Sequence, residues 1–146
     1  MAAIFAARVL SGRRPLIFED GGQARDLVHV SDVVRATVAA MDVPAAPGRA
    51  INVAAGRRIE IRDLARALAR ELGREDLEPE RPGEFRAGDI RHCLADTSRA
   101  RELLGFEPET DLRDGLPELA EWVAVQTVTE RGDEAVAEMR ARKLVG

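Results

Sequence analysis

The chain of 146 residues contains no tyrosine, a single cysteine and a single lysine. The lone cysteine, Cys93, excludes an internal disulfide and offers no metal-binding framework, which makes a reducing cytoplasm the default compartment. Lys143 is the one lysine among 22 basic residues, and this bias toward arginine reflects a GC-rich coding sequence rather than a chemistry. No apolar run is long enough to cross a bilayer, so no membrane association is expected. The opening MAAIFAARVLSG has too short an apolar stretch and no charged leader, which makes it a poor signal peptide. It reads better as an amphipathic helix ended by Gly12. None of the twelve glycines stands in a G-x-G-x-x-G or G-x-x-G-x-x-G spacing, so the fingerprint of a dinucleotide site is missing. A net charge of −4 predicts no strong attraction to nucleic acid or to an anionic membrane.

What is present is the composition of a globular chain about one domain long, 45% apolar and somewhat rich in charge at 33%. Leu16 to Phe18 reads as a strand entering a turn at Asp20-Gly21-Gly22. RDLVHV, from Arg25, reads as a second short strand. Ser31 is positioned to cap a helix over 32–41 with Val34, Val38 and Met41 on one face. INVA, from Ile51, reads as a buried strand ending at Gly56. Ile61 to Leu72 is the clearest helix: Ile61, Leu64, Ala65, Leu68 and Leu72 follow the three-four spacing, and Gly73 supplies the stop. A charged connection punctuated by proline and glycine covers 74–89. Asp96 can cap a helix that Gly105 ends. Pro117 lacks an N–H and belongs in a first helical turn, with Asp114 as cap. A last weakly amphipathic segment runs from Glu134 to Lys143. Short strands alternating with about five helices give an α/β class, with a sheet so thin that it looks like part of a larger fold.

Three charged residues carry chemical interest. Neighbouring side chains on a strand face opposite ways, so Arg25 and Asp26 do not easily neutralise each other. A guanidinium at that strand mouth suits phosphate oxygens; a structural ion pair with a distant carboxylate is the alternative, and on residues alone the default. Arg86 and Asp89 share a glycine-containing loop, where a cation for phosphate and a carboxylate for ribose hydroxyls could serve a phosphorylated sugar. A simple loop ion pair is again the default. His29 alternates with Val28 and Val30 as a half-buried, hydrogen-bonded histidine would. His92 and Cys93 are adjacent, point apart on a strand and make a poor nucleophilic dyad. Asn52 reads as a tie for loop backbone, Gly56 as a turn, and the pairs Arg13-Arg14 and Arg57-Arg58 as solvated.

The ordered blocks PLIFEDGGQARDLVHVSDVVRA, INVAAGRRIEIRDLARAL and RAGDIRHCLADTSRARELLGFEPETDLRDGLPELAEW resemble the C-terminal half of extended short-chain dehydrogenase/reductases. More narrowly, they are similar to the NAD-dependent nucleotide-sugar epimerase/dehydratase family that includes UDP-glucose 4-epimerase and dTDP-sugar epimerases. The resemblance spans residues 2–122. It implies a Rossmann-type fold whose smaller C-terminal part binds a nucleotide-diphosphate sugar. It further implies that Leu16, Ile17 and Phe18 lie along the nucleotide base through their backbone, that Arg25 and Arg86 contact the diphosphate, and that Asp89 takes the ribose hydroxyls. The resemblance reverses the default for those three charged residues.

The family's glycine-rich NAD loop, its catalytic tyrosine and lysine and their serine or threonine partner would all precede this chain, and a chain without tyrosine cannot supply that base. The expectation is therefore a fragment or truncated gene product. Residues 1–125 would form the nucleotide-sugar-binding portion and residues 126–146 a charged tail helix. It would hold no catalytic, cofactor or metal residue of its own, NAD belonging to the parent family, and would be inactive alone. It would be cytoplasmic and would self-associate through the face left by the missing domain. A stand-alone binding or regulatory module without catalysis is the alternative. An arginine-rich nucleic-acid binder is disfavoured by the net charge and by the absence of stacking aromatics near the arginines.

Overall fold

The structure, a computed structural model, describes residues 1–127 and 129–146. The chain divides into two units, the first built from residues 1–23, 60–91 and 116–146, the second from residues 24–59 and 92–115. The described residues form six helices and three short strands in the order α1 (Ala2–Leu10), β1 (Ala24–Asp26), α2 (Val30–Asp42), β2 (Arg58–Glu60), α3 (Ile61–Glu71), β3 (His92–Cys93), α4 (Ser98–Leu104), α5 (Leu112–Ala124) and α6 (Gly132–Ala141).

In the first unit α1 packs on α3. Phe5, Ala6 and Val9 of α1 and Ile61, Leu64, Ala65, Leu68 and Ala69 of α3 are buried, so the three-four spacing read from the sequence is the core face. Truncating a fully buried leucine such as Leu64 costs about 2–5 kcal/mol in such a setting. Gly73 ends α3 in the left-handed region at φ 67°. Its N–H donates to the Arg70 carbonyl and the Arg74 N–H to the Ala69 carbonyl, the paired bonds of a Schellman motif. Gly12 ends α1 in the same way, with Arg13 N–H donating to the Arg8 carbonyl at 2.8 Å.

The second unit carries a three-stranded sheet in the order β2-β1-β3. β1 and β3 run parallel, with Ala24 opposite His92 and Arg25 opposite Cys93. α2 packs on α4, and Ala36, Ala100 and Phe106 form a small core with Ile51, Val53 and Leu104 against it. Asp32 is fully buried in this unit. Its carboxylate accepts from the backbone N–H groups of Glu109 and Thr110, both at 3.1 Å, and from Arg35 at 2.9 Å. Those bonds compensate a charge that would otherwise be costly to bury.

Several sequence expectations change. Leu16 to Phe18 makes a single parallel bridge, Leu16 to Glu80, rather than a strand. The partner segment contains Pro79 and Pro82, which have no N–H to extend a ladder. RDLVHV is strand only through Asp26, and α2 begins already at Val30. The cap is His29, whose Nδ1 accepts from the Ser31 N–H, and not Ser31. INVA forms no ladder among the described residues. Ala54 is buried, but the tethers of this stretch come from side chains, Arg99 to the Ala50 carbonyl and Asn52 to the Asp96 carbonyl. α5 starts two residues before the expected cap. Asp111 accepts from Arg113 N–H at 3.0 Å and replaces Asp114, which leaves Pro117 inside the helix. Asp96 does cap α4, through Ser98 N–H at 2.9 Å. On α2 Val34, Val38 and Met41 do share one face of the helix, and that face is the exposed one. Asp32 and Ala36 are buried, whereas Val34, Val38 and Met41 are 56%, 52% and 81% exposed.

Candidate functional site

In the first unit Ile17 is buried while Leu16 and Phe18 are half-buried. Their segment is tied by backbone on one side: Ile17 N–H donates to the Glu80 carbonyl at 2.9 Å, Glu80 N–H to the Pro15 carbonyl at 2.8 Å, and Glu19 N–H to the Glu84 carbonyl at 2.7 Å. Leu16 to Glu19 thus lies directly beside the connection that carries Arg86 and Asp89. The Phe18 carbonyl accepts from Gln23 Nε2 at 2.8 Å.

The turn after this segment is closely built. Glu19 adopts φ 56°, unusual for a non-glycine residue, and Gly21 follows at φ 78°. A Cβ on Gly21 would stand 3.0 Å from Arg62 Cβ, so position 21 needs glycine for both its conformation and its space. Arg91 clasps the turn: Nη1 and Nη2 donate to the two Asp20 carboxylate oxygens, both at 2.8 Å, and Nη1 also to Glu19 Oε2 at 2.6 Å. The hydrogen bonds from Arg91, and then from the Gly22 N–H, hold the Asp20 carboxyl well below the usual carboxylate range. Arg91 was not singled out from the sequence. Its signal was present in the run DIRH, but nothing in the local pattern ties it to an acidic turn 71 residues earlier.

Arg86 and Asp89 are brought together. Arg86 Nη2 donates to Asp89 Oδ1 at 2.8 Å, across a turn closed by Asp89 N–H to the Arg86 carbonyl at 3.1 Å. Gly88 occupies the left-handed region at φ 81° in that turn. The Arg86 side chain is 47% exposed and that of Asp89 23%, so both polar ends are within reach of a solute.

Arg25 belongs to the second unit, on the central strand β1, where Nη1 donates to the Ala24 carbonyl at 2.8 Å. Its neighbour Asp26 is taken up elsewhere, by the N–H groups of Ala55 at 2.9 Å and Gly56 at 3.0 Å. The strand alternation had implied that the two charges part. The role of Asp26 in holding the 55–56 turn had not been foreseen. His92 Nδ1 accepts from Ala24 N–H at 3.3 Å, a sheet-edge tie rather than half of a dyad with Cys93. The arginine pairs are not simply solvated. Arg13 meets Glu130 and Asp133, Arg14 donates to the Glu78 carbonyl, and Arg57 pairs with Asp111. Among the described residues no cluster of three or more His, Cys, Asp or Glu side chains could hold a metal ion.

One guanidinium and one carboxylate, hydrogen-bonded on a single turn beside a backbone segment partly open to solvent, offer donors and acceptors together. Comparisons with known proteins show the family. Residues 2–119 match the family described as GDP-mannose 4,6 dehydratase, and the chain belongs to that family. UDP-glucose 4-epimerase of Mycolicibacterium smegmatis is 41% identical over 122 residues, 84% of this chain and 38% of that protein. The crystal structure of UDP-glucose 4-epimerase from Thermotoga maritima with UDP-glucose superposes with a TM-score of 0.75 at 37% identity, covering 83% of this chain and 38% of that one. UDP-glucuronic acid 4-epimerase from Bacillus cereus, solved with UDP-glucuronic acid and NAD, gives 0.74 at 28% identity over 84% of this chain and 39% of that one. The fold is thus mixed α/β, that of part of a Rossmann-type nucleotide-sugar epimerase, and the chain spans about 38% of the length of the proteins it matches.

Proposed function

We propose that residues 1–125 are the nucleotide-sugar-binding portion of an NAD-dependent nucleotide-sugar epimerase or dehydratase, with 126–146 as an appended tail helix. In this reading the Arg86 guanidinium bonds the diphosphate, Asp89 accepts from the ribose hydroxyls, and the Leu16–Phe18 backbone runs along the base. Arg25 is a second diphosphate ligand. The observation that carries the reading is the Arg86–Asp89 pair, held at 2.8 Å on one turn with Arg86 exposed and Asp89 partly so. A planar fork and a carboxylate at that spacing supply donors for phosphate and acceptors for vicinal hydroxyls together.

In the related epimerase solved with NAD, that cofactor accompanies the nucleotide sugar. When bound it supplies hydride transfer. The residues of this chain do not fit it. A dinucleotide needs a glycine-rich turn from strand into helix. Here β1 leads to α2 through Leu27, Val28 and His29, β2 leads into α3 with no residue between, and tyrosine is absent from the whole sequence. Redox chemistry in this reading therefore belongs to residues outside this chain, and the chain alone turns over no sugar.

Calorimetric titration of the chain with UDP, dTDP and NAD tests the proposal. Saturable binding of a nucleoside diphosphate that Arg86→Ala removes, with no heat from NAD, is the expected result. NAD co-purifying at one equivalent, or diphosphate binding indifferent to Arg86→Ala, would overturn it.

A further inference from the structure

The turn that carries Arg86 and Asp89 is held on both flanks. On one side lies the Leu16–Glu19 segment. On the other lies the segment that follows α6, beyond the residues matched by the family. Phe85 N–H donates to the Gly146 carbonyl at 2.7 Å, Gly146 N–H returns to the Phe85 carbonyl at 3.0 Å, and Ala87 N–H donates to the Leu144 carbonyl at 2.8 Å. Arg86 therefore stands opposite Val145 in an antiparallel bridge, between two amides that are both clamped. One residue earlier, Glu84 receives a bidentate pair from Arg140, Nε to Oε1 at 2.8 Å and Nη2 to Oε2 at 2.7 Å.

The other end of the tail is fixed as well. Asp133 accepts from Arg8 Nη1 at 2.7 Å and also pairs with Arg13, while Glu130 accepts from Arg13 Nη1 at 3.0 Å and from Gly132 N–H at 2.6 Å. Within this anchor the Arg8 and Glu130 side chains are sheltered, at 8% and 7% exposure, where ion pairs are screened least, while Asp133 and Arg13 face solvent. Between the two anchors, α6 ends in a Schellman motif that turns the chain back toward the loop: Leu144 N–H reaches the Met139 carbonyl and Lys143 N–H the Arg140 carbonyl.

We infer that Arg140 and Leu144–Gly146 are positioning elements for the nucleotide loop: they do not touch ligand but fix the backbone on either side of Arg86, so that guanidinium and carboxylate are presented in a binding-ready geometry. The part that concerns ligand rests on the nucleotide-sugar reading above. The physical reason is preorganisation. A loop punctuated by Pro82, Gly83 and Gly88 must otherwise lose its freedom when ligand arrives, which weakens binding.

The test has two independent readouts on the full chain, amide hydrogen exchange at Phe85 and Ala87 and calorimetric affinity for UDP and dTDP. Deleting Leu144–Gly146, or making Arg140→Ala, is expected to speed exchange at both amides at least tenfold while α3 amides keep their protection. The same changes should weaken diphosphate binding about tenfold. Arg140→Glu should behave likewise, and the double exchange Arg140→Glu with Glu84→Arg should recover both readouts, which a merely destabilising lesion would not do. Unchanged exchange at Phe85 and Ala87 overturns the inference, as does lost protection with unaltered affinity. A wild-type chain that binds neither diphosphate refutes the nucleotide reading and with it the ligand role. Exchange and the charge swap still decide, separately, whether the tail fixes the loop.

Discussion

Arg86 gives the sharpest residue-scale expectation. Its guanidinium is half exposed and already engaged with Asp89, so under the proposed function a nucleotide would share or replace that bond. In an assembly of this chain with the cofactor-binding portion that the proposed function supplies, Arg86→Ala should weaken nucleotide-sugar binding by about 1.5–3 kcal/mol, the scale of a hydrogen bond to a charged group. NAD affinity should stay nearly constant in the same titrations, and equal loss of both ligands would mark the arginine as structural. Asp32 is the opposite case. It is fully buried, and its carboxylate satisfies two backbone amides and one guanidinium. Asp32→Ala leaves those donors without an acceptor and should lower unfolding stability by about 2–3 kcal/mol in denaturant melts, with no direct contribution to nucleotide recognition. The sequence made Arg86 and Asp89 legible because three positions in one loop bring them into reach. Asp26, Asp32 and Arg91 were illegible because their partners lie 29, 77 and 71 residues away.

Among the elements, helices whose stop signal and apolar face coincide were readable. In α3 the apolar spacing, Gly73 and the observed core face all agree. Short strands were not, because a strand of two or three residues exists only through its neighbour, and no local pattern names the neighbour. Ile51–Ala54 is as apolar as a strand yet is tethered by side chains, and Leu16 has one bridge. The tail offers an element-scale test by pH. Arg140 holds the Glu84 carboxyl below its usual range chiefly by hydrogen bonding, and Arg8 does the same for Asp133. A carboxylate lowered in the folded state contributes stability that is fully present above its unfolded pKa and is lost as pH falls through its folded one. The tail should therefore stay docked at neutral pH and release on acidification below about pH 4, the ordinary carboxylate range. Loss of amide protection at Phe85 and Ala87 before loss at α3 is the expected order in an exchange series. Loss at α3 first would contradict it. At the helix end, Lys143 holds φ 56° where glycine is at ease. Lys143→Gly relieves a left-handed cost of roughly 1 kcal/mol, partly offset by the greater freedom glycine gains on unfolding. A slight slowing of exchange at Phe85 is expected.

For the molecule as a whole, the exposed stripe on α2 is decisive. Val30, Val34, Val38 and Met41 recur at three- and four-residue spacing, and each is more than half exposed. Periodicity of this kind marks a face that packs on something. Monomeric soluble proteins rarely leave a large contiguous apolar patch uncovered. The chain spans only about 38% of the length of its relatives, and a cofactor-binding portion is the cover that the proposed function supplies. Without it, the chain should either self-associate through this stripe or loosen its second unit, whose core is the small cluster around Ala36, Ala100 and Phe106. Light scattering should show a mass above one chain that rises with concentration, or a hydrophobic dye should bind strongly at neutral pH. Val34→Glu with Val38→Lys places an i,i+4 ion pair of opposite charges on the exposed face. It should abolish the association and the dye signal without lowering helix content. A wild-type monomer that melts cooperatively and binds no dye would show that the stripe tolerates water, and the chain would then stand as a self-sufficient binding module rather than a portion of an enzyme.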